Sequence, residues 1–579
     1  MKGPAWSSRL QLSIREERIF LILTILVGVV AALAAVLFTL SIKFTTVWLF
    51  GLEPSIQRTL LVPTLVSLCT GFLLWKFFPE AAGSGVPQTE AAFHLNQGQI
   101  PGRVAYGKFL TGVLCIGCGH SMGREGPSVH IGAGLASAIG RWFRLSPPRA
   151  RSLVPVAAAA ALSAAFNTPI AAVLFALEEV IGDMNAKLIG STVVASVTAV
   201  IVERSILGNS PIFHVPQYHF VHPAELIGYA VLGLVGGVVS LAFSGSLLQL
   251  RSIFLRLPAR TKILQPAAGG AMIGVLLIFF PQVLGVGYEY VDQALNGGLL
   301  LRTMFILCLA KLAATIISYA SGNAGGIFAP SLYLGAMAGG TVGALVHRFA
   351  PFPTSDPGVY AMVGMGALFA GIIRAPMTSV LMIFELTNNY QILVPLMVAN
   401  MISFWISQEF QPKALYHALL EQDHLYLPEV GARMTPSTWR ARDIMKSQFT
   451  WIPPDATFEA ALKIISKSED RWFVVGSDNG LLSGLISRET IEDATRSGMD
   501  TATITNSIVQ HPLYVYPDQV VGIALEQLGK SPGLIPVLRR GNFRHIEGVI
   551  TPETLIHAID KKSTQSKRQF TDADEPPGS

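Results

Sequence analysis

The chain is 579 residues long, 51% hydrophobic and only 14% charged. A soluble globular protein carries about 25% charged residues, so most of this chain is not in water. A net charge of +5 spread over that length does not describe a nucleic-acid-binding surface, and no nucleic-acid partner is expected.

In chain order, residues 1–18 are expected to form a cytoplasmic N-terminal segment. Phe20–Ile42 follows as 23 residues without a charge, enough to cross a hydrocarbon core of about 30 Å at about 1.5 Å per residue. It is too long for a signal-peptide core and no small-residue cleavage site follows it, so it reads as a retained membrane helix. Apolar segments continue to about residue 410, many of them short or broken by Gly or Pro, as in Leu60–Trp75 and Ala361–Leu386. Broken helices are tolerated at membrane depth only where backbone is buried in protein or lines a cavity, which hints at a transport pathway. All four cysteines lie in these apolar segments. The Cys115/Cys118 pair has no second pair or His cluster beside it and reads as two small residues at a helix contact; no metal is expected. Past Pro428 charges become frequent, and strand-like runs such as Trp472–Val475 and Leu534–Leu538 alternate with helical ones. The reading is a membrane region over 19–428, a soluble α/β region over 440–560 and a disordered polar tail over 561–579.

Two motifs of the membrane region recur. Pro127–Ala133 (PSVHIGA) matches Pro330–Ala336 (PSLYLGA), and Thr168–Leu174 matches Ala375–Leu381, each of the latter continuing to a glutamate, Glu178 and Glu385. They recur in the same order with almost equal spacing, which chance similarity of apolar sequence does not readily produce. Transporters are often built from duplicated halves with the substrate site where the halves meet. The soluble region repeats as well: Gly484–Thr490 (GLISRET) matches Gly548–Thr554 (GVITPET).

Three Gly/Pro-rich segments stand out in the membrane region: Gly83-Ser84-Gly85-Val86-Pro87, Gly123-Arg124-Glu125-Gly126-Pro127 and Gly325-Gly326-Ile327-Phe328-Ala329-Pro330. Each precedes an apolar run and carries a proline where a helix can begin. A helix N-terminus bears about half a positive charge and several unpaired N–H donors. Several such ends converging at mid-membrane make an anion site without lysine or arginine, and partial charges hold an ion weakly enough to release it. Glu125 is the most informative residue, because a carboxylate inside a membrane is costly and defaults to function. Ionised, it competes with an anion for the same N–H groups; protonated, it is neutral and swings away.

These segments resemble the signature sequences of the CLC chloride channels and transporters, in the family's order, over roughly residues 19–428. The resemblance implies an all-α polytopic membrane domain of two inverted-topology repeats, working as a homodimer with one pore per subunit in the lipid bilayer. It implies that Ser84, with Gly85 beside it, and the amides of Ile327 and Phe328 face chloride, and that Tyr416 is the pore tyrosine. Gly83, Pro87, Gly123, Gly126, Pro127, Gly326 and Pro330 are the motif glycines and prolines. It aligns Glu179 with the inner proton glutamate of the family's exchangers, and assigns gating and proton transfer to Glu125 and Glu179. Glu178 is expected to be structural, and Arg124 to point away from the anion.

Residues 440–560 resemble a tandem CBS pair. Thr490 and Thr554 stand where nucleotide-binding CBS domains commonly carry a ribose-binding aspartate, so the pair is either structural or a sensor, with an adenine nucleotide as its candidate ligand. No other cofactor is expected. Gly102–Lys108 imitates a phosphate loop, yet Phe109 replaces the Ser/Thr that holds magnesium. The whole is expected to be a chloride/proton antiporter and not an enzyme, multi-pass in a bacterial inner (plasma) membrane with the CBS pair cytoplasmic. The alternatives are a passive gated chloride channel of the same family and a CBS-bearing cation transporter.

Overall fold

The computed structural model describes residues 5–558 apart from 52–54, 184–185, 210–211, 214, 216–220, 424, 426, 428–439, 469, 478–479, 511, 520, 530, 532 and 540–541. The expected tail, 561–579, lies outside the described residues. The chain divides into two compact units, 1–428 and 429–579.

The first unit is helical and its helices come in two matching sets of eight. The first is α1 (Ala5–Phe50), α2 (Ile56–Lys76), α3 (Val86–His94), α4 (Gly102–Gly117), α5 (Glu125–Trp142), α6 (Pro147–Phe166), α7 (Pro169–Phe175) and α8 (Ala186–Leu207). The second is α9 (Glu225–Arg256), α10 (Leu264–Phe279), α11 (Tyr288–Leu295), α12 (Leu301–Ala320), α13 (Phe328–Phe349), α14 (Pro357–Ile373), α15 (Pro376–Thr387) and α16 (Leu393–Phe410). A short α17 (Leu415–Gln422) ends the unit. The sequence explains the matched boundaries. Helices α6, α7, α14 and α15 all begin with proline, whose fixed φ and missing N–H suit the first turn. Helices α6 and α14 both end on a left-handed residue, Asn167 and Arg374.

Three observations show how the halves meet. Gly123 and Gly326 each stand four residues before their motif proline, and they form an antiparallel bridge with each other. Each N–H donates to the other's carbonyl at 2.7 Å. Equivalent residues that pair antiparallel place a two-fold axis between them, so the halves are inverted relative to each other. Glu178 and Glu385 then cross over. Glu178 accepts from Met377 N at 3.3 Å, Thr378 N at 2.9 Å and Thr378 Oγ1 at 2.7 Å at the start of α15. Glu385 accepts from Ile170 N at 3.0 Å and Ala171 N at 2.7 Å at the start of α7. Each half thus caps a helix of the other with a carboxylate at the positive end of its dipole.

The core runs along this seam. The alanine run Ala157–Ala161 of α6 is wholly buried, and its small side chains let α6 lie close to Val27, Ala31 and Ala35 of α1. Seven helices among the described residues are long and apolar enough to cross a membrane, by length and composition. Helices α3 and α7 are far too short to do so, and the α3 N-terminus at Val86 and the α7 C-terminus at Phe175 are buried in the protein. This is a multi-pass membrane protein.

The second unit holds α18 (Ala441–Ile444), β1 (Trp451–Ile452), α19 (Phe458–Ile465), β2 (Trp472–Ser477), β3 (Leu481–Ser487), α20 (Arg488–Arg496), α21 (Val521–Leu528), β4 (Ile535–Arg539) and β5 (Asn542–Ile550). The strand order is β1-β2-β3-β5-β4, with β1 parallel to β2 and the other neighbours antiparallel. Of its three small apolar cores, one around Ile452 and Ile486 and one around Val515 and Val537 follow the internal repeat, and a third joins Val474 and Leu485 to Leu538 and Val549.

Candidate functional site

The three Gly/Pro segments converge at the seam. Gly85 (φ 105°) precedes α3 in a conformation that only glycine adopts without strain. Gly126 has no room for a side chain: an added Cβ would lie 2.6 Å from Ser84 Oγ, 2.8 Å from Ser84 O and 3.3 Å from Gly326 Cα. Glycine is therefore required for the first, second and third segments to touch. Gly83 is bridged to Ala324, which joins the first and third segments again.

Two fully buried lysines fix the loops that lead into this centre. Lys108 Nζ donates to the carbonyls of Ala81 at 2.7 Å, Ala82 at 3.3 Å and Gly83 at 2.7 Å. Its counterpart Lys311 donates to Val283 at 3.1 Å, Gly285 at 2.7 Å and Val286 at 3.2 Å. The lysine of the apparent phosphate loop is thus a backbone clamp. Buried charge is stable only when so satisfied.

Ser84 and Tyr416 are wholly buried. The two side chains are neighbours, and neither hydroxyl makes a hydrogen bond of normal geometry among the described residues. A buried polar atom left without a partner needs an explanation, and two neighbouring ones fit a guest anion. The Ser84 amide itself reaches the Tyr319 hydroxyl at 3.4 Å. Ile327 precedes α13 and Phe328 opens it, so their amides belong to the turn that has no intrahelical acceptor. The Phe328 ring packs edge-on to Phe369 at 4.4 Å and tilted against Phe166 at 5.0 Å.

Glu125 is fully buried. Its Oε2 lies against Gly123 and faces the Ala329 amide in the first turn of α13. Tyr288 Oη donates to its Oε1 at 2.7 Å. Arg124 lies beside this carboxylate. It donates to Ala165 O at 3.4 Å, and its Nε stands 3.9 Å from Glu125 Oε1, because adjacent residues at a helix start cannot diverge far.

Glu178 and Glu179 sit on a π-helical turn, Ala176–Ile181. Such turns recur at functional sites, and this wider turn sends the two carboxylates different ways. Glu178 caps α15, whereas Glu179 lies within electrostatic reach of Glu90, Glu178 and Arg374. Arg374 in turn donates to Pro412 O at 2.9 Å, Ser407 O at 2.8 Å and Gln411 O, fixing the segment that leads to Tyr416. Glu90, nearly unexposed, pairs with half-exposed His417 at 2.9 Å, so a chain of titratable groups runs from solvent toward Glu179. Tyr416 lies within electrostatic reach of both Glu125 and Glu179.

The structure therefore brings Ser84, Gly85, Gly123, Glu125, Gly126, Gly326 and Tyr416 together at one centre, with Ile327 and Phe328 presenting helix-start amides. Glu179 stands apart, on the Glu90 side. Tyr288, Tyr319, Glu90 and His417 were not foreseen. A carboxylate three residues after Pro87 in a short apolar helix was the available signal for Glu90; the tyrosines carry none. A cavity of about 980 Å³ reaches the Gly83 loop and Tyr319, with Arg141, Arg251, Glu80 and Asp423 in its wall; Arg251 is paired with Asp423, so the approach carries both signs of charge.

A duplicated inverted helical fold around a seat of helix ends and hydroxyls defines a membrane ion-transport protein. The family model for the voltage gated chloride channel matches residues 65–408, and that for the CBS domain matches 441–496. The chain belongs to this chloride channel family, the CLC proteins. It is 32% identical over 416 residues to the H(+)/Cl(-) exchange transporter ClcA of Vibrio campbellii (strain ATCC BAA-1116), covering 69% of this chain and 89% of the relative. The crystal structure of a slow cyanobacterial Cl−/H+ antiporter superposes with a TM-score of 0.65 at 29% identity, covering 70% of this chain and 97% of that one. A eukaryotic CLC transporter, at 22% identity, shares the fold over 92% of this chain and 97% of its own, with a TM-score of 0.63.

Proposed function

We propose that this chain is a chloride/proton antiporter and not an enzyme, a homodimer with one pathway per subunit, set in a bacterial inner membrane with the CBS unit in the cytoplasm. The seat of Glu125 carries this reading. Its Oε2 points to the Ala329 amide in the first turn of α13 without a hydrogen bond of normal geometry, within the centre that holds the equally unpartnered Ser84 and Tyr416 hydroxyls. An ionised Glu125 and a chloride compete for the same donors. On taking a proton the carboxyl becomes neutral, loses its hold on the amides and leaves, and chloride takes its place. When chloride departs the carboxyl gives up the proton and returns. Glu179, beside the Glu90–His417 pair, exchanges that proton with the opposite side.

A passive channel needs Glu125 alone. The placement of Glu179 favours exchange, as does the ClcA relative, named for H(+)/Cl(-) exchange. Reconstituted vesicles given only a chloride gradient should move protons uphill. Glu125→Gln should uncouple the two ions, and Glu179→Gln should stop protons and spare chloride. Proton transport persisting in both variants would remove these residues from the pathway.

For the CBS unit we propose an adenine nucleotide in a cavity of about 560 Å³ walled by Phe449, Trp472, Thr551 and Thr554. The aromatic rings offer stacking faces for a base.

A further inference from the structure

We propose that Tyr288 is a positioning residue for the gate: its hydroxyl holds the ionised Glu125 on the α13 N-terminus and so sets how readily chloride displaces it. The inference rests on Glu125 being the gate.

Tyr288 Oη donates to Glu125 Oε1 at 2.7 Å, and the carboxylate as acceptor makes this a charge-assisted bond. The phenol is held from several directions. Its ring meets Phe213 edge-on at 5.4 Å and Phe166 at 6.5 Å, and the Arg124 guanidinium lies over it at 5.8 Å. Its backbone opens α11 directly after left-handed Gly287, on the loop whose carbonyls Lys311 clamps.

The internal repeat explains why a side chain from α11 reaches this centre. Gly287 precedes Lys311 by the same number of residues as Ser84 precedes Lys108. The lysine-clamped loop of the first half delivers Ser84 to the anion seat. The lysine-clamped loop of the second half delivers Tyr288 to the glutamate that competes for that seat. The two halves have kept one scaffold and diverged in what it presents.

A hydrogen bond made to the seated carboxylate and not to chloride favours the closed gate over the chloride-filled one. Tyr288→Phe keeps the ring and its packing and deletes the donor. In purified full-length protein, chloride affinity measured by titration calorimetry should rise about tenfold, the scale of one bond to a charged group. The same substitution in a Glu125→Gln background should change chloride affinity by less than about twofold, since the charged acceptor is gone. Wild-type affinity in Tyr288→Phe would overturn the proposal, as would an equal change in both backgrounds. If Glu125→Gln alone leaves chloride affinity and proton coupling untouched, the gate reading has failed instead.

Discussion

Reciprocal capping by Glu178 and Glu385 makes a prediction that tests the inverted repeat itself. Glu178→Ala removes the acceptor of two backbone N–H groups and the Thr378 hydroxyl; Glu385→Ala removes the acceptor of two N–H groups on α7. Loss of a helix cap costs about 0.5–2 kcal/mol, and a hydrogen bond to a charged group is worth about 1.5–3 kcal/mol. Each alanine variant should therefore lose about 2–4 kcal/mol. Both carboxylates tie α7 to α15, so the double variant should lose less than the sum. Unfolding by sodium dodecyl sulfate in mixed micelles, followed by circular dichroism, measures this. Function should separate the pair. Glu178 adjoins Glu179 on the π-helical turn, so Glu178→Ala should also impair proton coupling, while Glu385→Ala of similar stability should keep it. Wild-type stability in either variant would refute the reciprocal arrangement.

Gly126→Ala should abolish chloride binding in calorimetry, because its Cβ would stand 2.6 Å from Ser84 Oγ and displace it; undiminished binding would show that the segments can part. Lys108→Met should leave one buried and two partly buried carbonyls without their donor and cost about 3 kcal/mol in the same unfolding assay. It should weaken chloride binding through the Ser84 loop, whereas Lys311→Met should disturb the Tyr288 loop and strengthen it. Trp472→Ala should weaken calorimetric binding of ATP to the full-length protein by about tenfold if the base stacks there, an alanine cost of about 1–3 kcal/mol.

Much of this was legible in the sequence because duplication and glycine are loud signals. The paired prolines Pro127 and Pro330, and the paired glutamates Glu178 and Glu385, announce two halves in the sequence alone. Glu125 stood out as a carboxylate in an apolar setting. What escaped was whatever depends on tertiary reach. Nothing local marks Tyr288 or Tyr319, because an aromatic beside apolar residues is ordinarily core. Lys108 looked like a fragment of a phosphate loop, and only the fold reveals that its acceptors lie in the preceding loop. Arg124 stayed near the gate because its neighbour's position leaves it little choice.

The Gly123–Gly326 bridge limits how the molecule can work. Its two short bonds lie where the halves would have to slide if access alternated by rocking one against the other. The crossed glutamates on α7 and α15 brace that seam on both sides of the axis. A side chain the size of Glu125 can swing without breaking any of these bonds, whereas sliding one half along the other would have to break or carry them.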